Sequence, residues 1–137
     1  MVLEAPSPAD EQFLVPGPAI NGVAVINLAP EGTGSYTINE SYALGVYNTA
    51  GDGPDIGDGT AYIDNTDRGV VKFSNDPTIQ YSQFVVDHFS LKPKDSNMSW
   101  YSCPYANSTG AFALRSAAGD GCGPISSNRT IQVSYLD

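Results

Sequence analysis

Four asparagines of this chain lie in the pattern Asn-x-Ser/Thr, the acceptor sequence for an N-linked glycan: Asn39, Asn97, Asn107 and Asn128. The reaction at such a position joins an oligosaccharide to the side-chain amide nitrogen. It requires an exposed segment of a protein that passes through the secretory pathway. The pattern therefore predicts a secreted glycoprotein with glycans at these four positions.

The two cysteines, Cys103 and Cys122, could carry a second kind of chemistry. They enclose eighteen residues, and an even cysteine count fits an oxidised pair in an extracellular compartment. Closing a loop of this size would stabilise the fold by about 3 kcal/mol in the chain-entropy description. A redox or metal pair is the alternative, but two cysteines and one histidine cannot complete a four-ligand zinc site without carboxylates. We therefore predict a structural disulfide.

A glycine-rich loop at residues 50–59 carries Asp52, Asp55 and Asp58, one carboxylate at every third position. Carboxylates that converge from such a loop could bind a hard cation such as calcium. The spacing differs from the EF-hand pattern, and Asp-Gly and Gly-Pro pairs are also ordinary turn formers. Turn formation is the favoured interpretation, and a calcium site at these three residues is the alternative. No other cofactor is expected.

An aromatic group near the first cysteine could bind a sugar, because a flat ring can cover the apolar face of a pyranose. Such a platform would use Trp100, Tyr101 and Tyr105, with Tyr62 and Tyr81 elsewhere in the chain. In a strand, Trp100 and Ser102 would face one side, and Tyr101 and Cys103 the other. One of the two aromatic residues then lies in the core, unless both faces are covered. A glycan platform and core packing are the two alternatives.

Catalytic chemistry is not indicated by the remaining residues. His88 is the sole histidine and follows Asp87 in a predicted strand, where adjacent side chains point to opposite faces. The chain has no Gly-x-Ser-x-Gly sequence around a nucleophile. Its four glutamates lie in the first forty residues, and no carboxylate pair for glycoside hydrolysis stands out. We predict no catalytic residues and no enzymatic activity.

Composition and charge restrict the possible partners. Fifteen acidic and six basic residues give the 137 residues a net charge of −9. This argues against nucleic acid as a partner, because phosphate contacts need Lys and Arg. No apolar run approaches the roughly 20 residues of a membrane-spanning helix. The start Met1-Val-Leu-Glu-Ala-Pro shows no apolar leader, and we expect a mature chain from which a leader has been removed.

The elements that must position these residues are β-strands. Fourteen glycines and ten prolines interrupt nearly every candidate helix. Short strands at even spacing are typical of an all-β, antiparallel β-sandwich or, alternatively, of a small β-barrel. Residues 1–12 carry two prolines and three acidic groups without a core pattern, which predicts a flexible N-terminal arm. Residues 13–137 are then expected to form a single β-sandwich domain with one disulfide.

Turn residues and side-chain alternation locate the predicted strands. Two hairpins are expected, one joining residues 35–40 to residues 43–48 and one joining residues 60–64 to residues 70–74. A long strand, interrupted by a bulge, is predicted over residues 79–91. Further strands are predicted at residues 20–28, 98–105, 110–116 and 130–136.

Several short motifs follow one another in the middle and end of the chain: Tyr42–Val46, Ala61–Asp64, Gly69–Phe73, Cys103-Pro104 and Cys122. Over residues 40–122 this order resembles the small secreted cell-wall proteins of filamentous fungi typified by the phialide wall protein, also described as IgE-binding proteins. The chain lacks the N-terminal cysteine pair of that family, and residues 30–34 stand in its place. The resemblance implies a non-catalytic role in the cell wall or at the cell surface.

These features together predict a secreted, N-glycosylated, non-enzymatic cell-wall or cell-surface protein. Two further functions remain open. One is a carbohydrate-binding, lectin-like module with or without calcium, and the other is a secreted effector that binds a host protein. The expected partners are a wall polysaccharide or surface glycan, or a host or self protein. Nucleic acid and membrane insertion are not expected.

Overall fold

The structure is a computed structural model that describes residues 2–5, 12–16, 23–29, 35–47, 58–94, 96–104, 111–115, 119–125 and 130–134. Thirteen strands are described: β1 (Val2–Ala5), β2 (Gln12–Pro16), β3 (Val23–Ala29), β4 (Ser35–Ile38), β5 (Leu44–Tyr47), β6 (Asp58–Asp64), β7 (Val70–Ser74), β8 (Phe84–Asp87), β9 (Ser90–Pro93), β10 (Ser99–Cys103), β11 (Ala111–Arg115), β12 (Gly123–Pro124) and β13 (Ile131–Ser134). Within the described ranges there is no helix of the length and apolar character needed to cross a membrane.

The strands pair antiparallel and follow the order β4-β5-β6-β7-β11-β3-β2-β1-β13-β9-β8, with β10 on β11 and β12 on β10. β7 also pairs with β3, so the hydrogen-bonded network branches at β7. The all-β antiparallel β-sandwich predicted from the sequence is therefore confirmed, and the described strands do not close into the alternative small barrel. The two ends of the path meet at an isolated bridge between Ala43 and Gln83.

Both predicted hairpins are confirmed. β4 pairs with β5 through a loop at residues 39–43, and β6 pairs with β7 through a turn at residues 65–69. The second turn ends in Arg68 and Gly69, which are both left-handed (φ +57° and +77°). Glycine adopts this conformation without the steric cost that a β-carbon brings. β3, β10, β11 and β13 fall on the four further predicted strands.

The long strand predicted over residues 79–91 is wrong. The structure has two strands there, β8 and β9, joined by a turn whose central residues are His88 and Phe89. Both residues are left-handed, with φ of 50° and 62°. Turns of this kind normally carry Asn-Gly or Asp-Gly. The His-Phe pair gives no such signal, so the apolar alternation of the sequence predicts one continuous strand in place of two.

The prediction of a flexible arm without core residues is wrong for residues 2–5. They form β1, which pairs with β2 and β13, and Leu3 is fully buried. Gln12, at the end of the predicted arm, belongs to β2. Four residues are too few to show a recognisable alternation, and the order of β1 comes from pairing with a strand at the other end of the chain. Residues 6–11 lie outside the described residues.

The buried apolar side chains of the described residues form a large and a small cluster. Tyr36, Phe73, Phe84 and Trp100 are the largest side chains of the first cluster, which the strands wrap around. The second cluster lies beside the disulfide and contains Val70, Tyr101, Cys103, Ala113 and Cys122. Alternation along β10 sends Trp100 into the first cluster and Tyr101 into the second. Both faces of β10 are therefore covered.

Candidate functional site

Two of the three residues predicted to form a glycan platform lie in the core. Trp100 is 3% exposed and Tyr101 is 2% exposed. The indole nitrogen of Trp100 donates to the Leu91 carbonyl oxygen at 2.7 Å, and its ring stacks on Phe84 at a centroid distance of 6.2 Å. A ring covered in this way cannot receive a sugar, so the platform prediction is wrong for Trp100 and Tyr101 and the core-packing alternative is correct. Tyr105 lies outside the described residues.

The predicted disulfide between Cys103 and Cys122 is confirmed. It joins the end of β10 to a turn at residues 119–122, whose central residues Asp120 and Gly121 are left-handed (φ 54° and 83°). Asp-Gly is a favoured pair for such a turn. Both cysteines are buried, and burial among apolar groups keeps a disulfide away from exchange with external thiols. The pair is therefore structural.

Two arginines reinforce the same end of the molecule. Arg68 Nη1 donates to the Pro104 carbonyl oxygen at 2.7 Å, and Arg115 Nη1 donates to the Arg68 carbonyl oxygen at 3.0 Å. Arg115 Nη2 also forms an ion pair with Asp120 at 3.1 Å. These contacts connect the β6–β7 turn to both sides of the disulfide. We call this group the disulfide end: Arg68, Cys103, Pro104, Arg115, Asp120 and Cys122.

A lysine between two aspartates lies on the β6–β7 hairpin. Lys72 Nζ is 2.8 Å from Asp64 and 3.0 Å from Asp67, and the lysine side chain is only 12% exposed. The hydrogen bond from Lys72 lowers the pKa of Asp64, and hydrogen bonds from Thr66 add to this effect. Burial alone would raise the pKa of Asp67, but hydrogen bonds from Lys72 and Arg68 outweigh it and lower that pKa. Both carboxylates stay ionised at neutral pH and hold the hairpin together.

The predicted calcium loop is described only at its end. Asp52 and Asp55 lie outside the described residues, whereas Asp58 is the first residue of β6. The loop prediction is therefore wrong for residues 58–59, which pair with β5. Across the described part of the chain, no group of three or more His, Cys, Asp or Glu side chains could hold a metal ion. The calcium alternative stays a prediction.

Two of the predicted glycan acceptors, Asn39 and Asn97, are described and exposed. The Asn39 carbonyl oxygen (Oδ1) accepts hydrogen bonds from the backbone N–H groups of Ser41 at 2.8 Å and Ala43 at 3.1 Å. Such a turn uses Oδ1 and does not involve Nδ2, the atom that a glycan would join. Asn107 and Asn128 lie outside the described residues.

The sole histidine is at the tip of the β8–β9 hairpin. His88 Nδ1 lies 2.7 Å from Asp87 Oδ1, so the expectation that the two side chains point apart is wrong. The left-handed turn at His88 bends its side chain back toward Asp87, which a strand would not do. The His88 side chain is 93% exposed. Water surrounds this pair, whereas catalytic proton transfer is favoured in a site that excludes water.

A cavity lies where the two ends of the strand path meet. It has a volume of about 610 Å³ and opens between the β4–β5 loop, the segment before β8, and the chain around the end of β9. We call it the seam cleft. Its apolar lining residues are Ala43, Ile63, Pro93, Met98 and Leu114. Its polar lining residues are Ser41, Gln80, Tyr81, Ser82, Gln83, Lys94 and Ser96. This volume is in the usual range for small-ligand sites.

Hydrogen bonds within the protein fix two of the polar side chains of the seam cleft. The Tyr81 hydroxyl lies 2.6 Å from the Asp76 carbonyl oxygen and 3.1 Å from that of Ser74, which holds its ring in one orientation. Gln83 Nε2 donates to the Ser41 carbonyl oxygen at 3.1 Å. A carbonyl oxygen can only accept, so the Gln83 amide must present its nitrogen to Ser41, which leaves Oε1 as a hydrogen-bond acceptor.

An exposed tyrosine adjoins the seam cleft. The ring of Tyr42 is 43% exposed and lies against Lys94, whose ammonium is 4.9 Å from the ring centroid. Tyr42 is left-handed (φ 64°), an unusual conformation for a bulky residue. Its backbone is held on both sides. The Tyr42 N–H donates to the backbone carbonyl oxygen of Asn39 at 3.0 Å, and the Tyr42 carbonyl oxygen accepts from the Phe84 N–H at 2.8 Å. The loop therefore fixes the backbone from which this ring projects.

Most of the seam cleft was not predicted from the sequence. Tyr81 belongs to the aromatic group considered above, but Gln83 and Lys94 carry no motif, and Tyr42 appears only in the Tyr42–Val46 motif of the resemblance, which implies no ligand contact. The cleft joins the β4–β5 loop to a segment about forty residues later, so its composition depends on the path of the strands. The one available signal is the loop itself, because its position between two clear strands marks Tyr42 as a turn residue.

No protein-family description, curated protein or solved structure matches this chain.

Proposed function

We propose that the protein is a secreted, N-glycosylated, non-enzymatic protein of the cell wall or cell surface, and that it binds a saccharide in the seam cleft. The carrying observation is Tyr42, an exposed ring that the backbone holds in an unfavourable conformation beside the cleft. A strained residue of this kind persists only where its surroundings impose it, and such residues concentrate at binding sites.

The chemistry of the seam cleft supports saccharide binding. A sugar has an apolar face that packs on an aromatic ring and hydroxyls that exchange hydrogen bonds with amides and hydroxyls. The Tyr81 ring in the lining and the Tyr42 ring beside it, next to Lys94, are suited to the first kind of contact, and the Gln83 Oε1 atom is suited to the second. Glycoside hydrolysis would instead need two carboxylates on either side of the scissile bond. The groups that line the described cleft are suited to holding a sugar rather than to cleaving it.

The extracellular location is supported by the disulfide and by the two described acceptor asparagines. A buried disulfide is formed and kept in oxidising compartments. The variant Ser41→Ala tests glycosylation at Asn39 without disturbing the turn. It removes the acceptor sequence but keeps both backbone hydrogen bonds to Asn39 Oδ1. After expression in a eukaryotic secretory host, we expect glycosylated peptides at Asn39 and Asn97 in the wild type and loss of the Asn39 glycan alone in Ser41→Ala. Unmodified peptides at both positions would contradict this location.

A glycan array screened with the oxidised protein tests saccharide binding. Tyr42→Gly removes the ring, and Phe89→Gly is a matched control, because both are exposed aromatic residues at left-handed turn positions. We expect specific binding by the wild type and by Phe89→Gly, and binding weakened about tenfold or more in Tyr42→Gly. Screening with calcium and with a chelator also tests the loop at residues 50–59. A blank array, or equal binding by the two variants, would overturn the proposal.

A second candidate function is recognition of a partner protein through the β8–β9 turn. Phe89 is 65% exposed, and its carbonyl oxygen accepts a hydrogen bond from the Val133 N–H at 2.7 Å. This bond fixes the turn to β13 and keeps the ring outward. Exposed rigid aromatic residues are common anchors of protein interfaces.

The same two variants distinguish this candidate from saccharide binding. Binding of the protein to intact cell walls or cells is measured before and after treatment of the surface with protease or with glycosidase. Binding that protease removes and that Phe89→Gly lacks would support a protein partner. Binding that glycosidase removes and that Tyr42→Gly lacks would support the seam cleft and reject the turn.

A further inference from the structure

The described cations of this acidic protein differ in their partners. Five are described, and four of them form ion pairs with aspartates: Arg68 with Asp67, Lys72 with Asp64 and Asp67, Lys92 with Asp87, and Arg115 with Asp120. Lys94 is the fifth, and its contact is the ring of Tyr42. Among the described residues it therefore has no carboxylate partner, although the chain carries fifteen acidic residues.

Lys94 lies where a ligand in the seam cleft could contact its ammonium group. Lys94 lines the seam cleft, and its backbone is fixed because its N–H donates to the Gln83 carbonyl oxygen at 3.0 Å. A cation over an exposed aromatic ring keeps much of its hydration and its remaining donors. A carboxylate that enters the cleft can therefore pair with the ammonium without breaking an existing ion pair with a described residue.

We infer that the saccharide bound in the seam cleft is acidic, with a carboxylate as in a uronic acid residue, and that the ammonium of Lys94 binds this carboxylate. This inference rests on the proposed saccharide binding. The Tyr42 ring supports the cation from one side, and the Gln83 Oε1 atom accepts from a sugar hydroxyl. A charge-assisted hydrogen bond between an ammonium and a carboxylate is stronger than one between neutral groups.

The protein has a net charge of −9. An acidic ligand is therefore repelled by the protein as a whole and attracted locally by Lys94. At physiological salt, charges farther away than about 8 Å are screened, so a bound carboxylate is affected mainly by its nearest groups. At low salt the repulsion reaches further and should slow the approach of an acidic ligand. Binding of an acidic saccharide should therefore tolerate moderate salt, unlike binding driven by a cationic surface.

The test compares uronic acid oligosaccharides with carboxyl-reduced neutral oligosaccharides of the same linkage, by titration calorimetry. Lys94→Gln removes the cation of the cleft, and Lys92→Gln is the matched control, because Lys92 is an exposed lysine of β9 that pairs with Asp87 instead. We expect the wild type to prefer the acidic ligand about tenfold or more. Lys94→Gln should lose this preference, and Lys92→Gln and Lys94→Arg should keep most of it.

Different experimental outcomes would overturn this inference and the proposed function. Equal binding of acidic and neutral ligands that depends on Tyr42 would overturn the acidic ligand and keep saccharide binding. Binding of neither series, together with a blank glycan array, would overturn both. Equal loss of affinity in Lys92→Gln and Lys94→Gln would assign the effect to overall charge and would also overturn the role of Lys94. Circular dichroism of each variant confirms that the fold is retained.

Discussion

The disulfide end and the seam cleft are built on opposite principles. At the disulfide end the polar groups are used by the chain itself, because Arg68 and Arg115 bind two backbone carbonyl groups and an aspartate around a covalent bond. At the seam cleft an isolated bridge and a few hydrogen bonds join the ends of the strand path. In the proposed binding site, the Gln83 Oε1 atom and the Lys94 ammonium are the polar groups left for a ligand.

If the proposed binding is correct, this contrast explains how a small domain can combine stability with binding. Contacts that are satisfied internally raise the free energy of unfolding but have no capacity left for a partner. A binding site needs groups whose hydrogen-bonding and packing capacity is unused in the free protein. Changes at the disulfide end should therefore alter stability without altering binding, and changes at the seam cleft should do the reverse.

Removal of the disulfide should give the largest effect on stability. Cys103→Ala together with Cys122→Ala should lower the free energy of unfolding by about 3 kcal/mol, because the unfolded chain regains the entropy of the open loop. Chemical denaturation measures this change. Ligand affinity at the seam cleft, measured well below the melting temperature, should be unchanged in the double variant. A large loss of affinity in a folded double variant would show that the two regions are coupled.

Gly69→Ala should give the next largest effect. Gly69 is left-handed (φ +77°), and a β-carbon there would overlap the backbone carbonyl oxygen of Leu114 in β11. Left-handed alanine costs about 1–2 kcal/mol, and the overlap adds to that cost. Gly123→Ala is the control, because a β-carbon at Gly123 meets no atom within 4 Å and its φ is not left-handed. Thermal denaturation should show a clear fall for Gly69→Ala only. Similar melting temperatures for both variants would show that β11 moves to accept the β-carbon.

The ion pair on the β6–β7 hairpin should make stability depend on acid. The pKa of Asp64 is lowered from 3.8 in the folded protein, chiefly by Lys72. The stabilisation is therefore fully present above pH 3.8 and is lost as the pH falls through the lowered value. Asp64→Asn should reduce stability at neutral pH by about 1 kcal/mol and should flatten the acid side of the stability curve. If Lys72→Gln leaves the acid side as steep as in the wild type, Lys72 is not the source of the shift.

Two turns with the same geometry show how much of the fold the sequence could predict. Asp120-Gly121 is a residue pair that favours such a turn. His88-Phe89 is also left-handed but contains neither glycine nor asparagine. The sequence pattern therefore predicted one strand across this turn. Short strands with clear alternation, such as β13, were located correctly. β1 was missed because its order depends on pairing across nearly the whole chain.

The candidate site was less predictable than the fold for a related reason. The sequence could identify Cys103 and Cys122, because two cysteines allow a single pairing within the chain. It proposed Trp100 and Tyr101 for ligand contact, although alternation and burial on both faces of β10 place them in the core. The seam cleft brings Tyr42 to Lys94 and Gln83, and this contact depends on where the two ends of the strand path meet.

Of these variants, Tyr42→Gly should change stability least. It is also the most direct test of the contrast between the disulfide end and the seam cleft. A left-handed tyrosine costs about 1–2 kcal/mol, whereas glycine adds about 0.5–1 kcal/mol of unfolded-state entropy. The contact of Tyr42 with Lys94 is lost as well. The free energy of unfolding should therefore rise by less than about 1 kcal/mol or stay constant, and Phe89→Gly should behave alike.

Binding is where the two variants should differ, because only Tyr42 adjoins the seam cleft. If Tyr42→Gly keeps its stability and loses its ligand, the strain at Tyr42 serves binding. If Tyr42→Gly unfolds more easily by 2 kcal/mol or so, well above the usual effect of an exposed residue, then Tyr42 stabilises the loop and the ring is structural. The seam cleft would then be held together by its own side chains, as the disulfide end is, and the contrast between the two regions would fail.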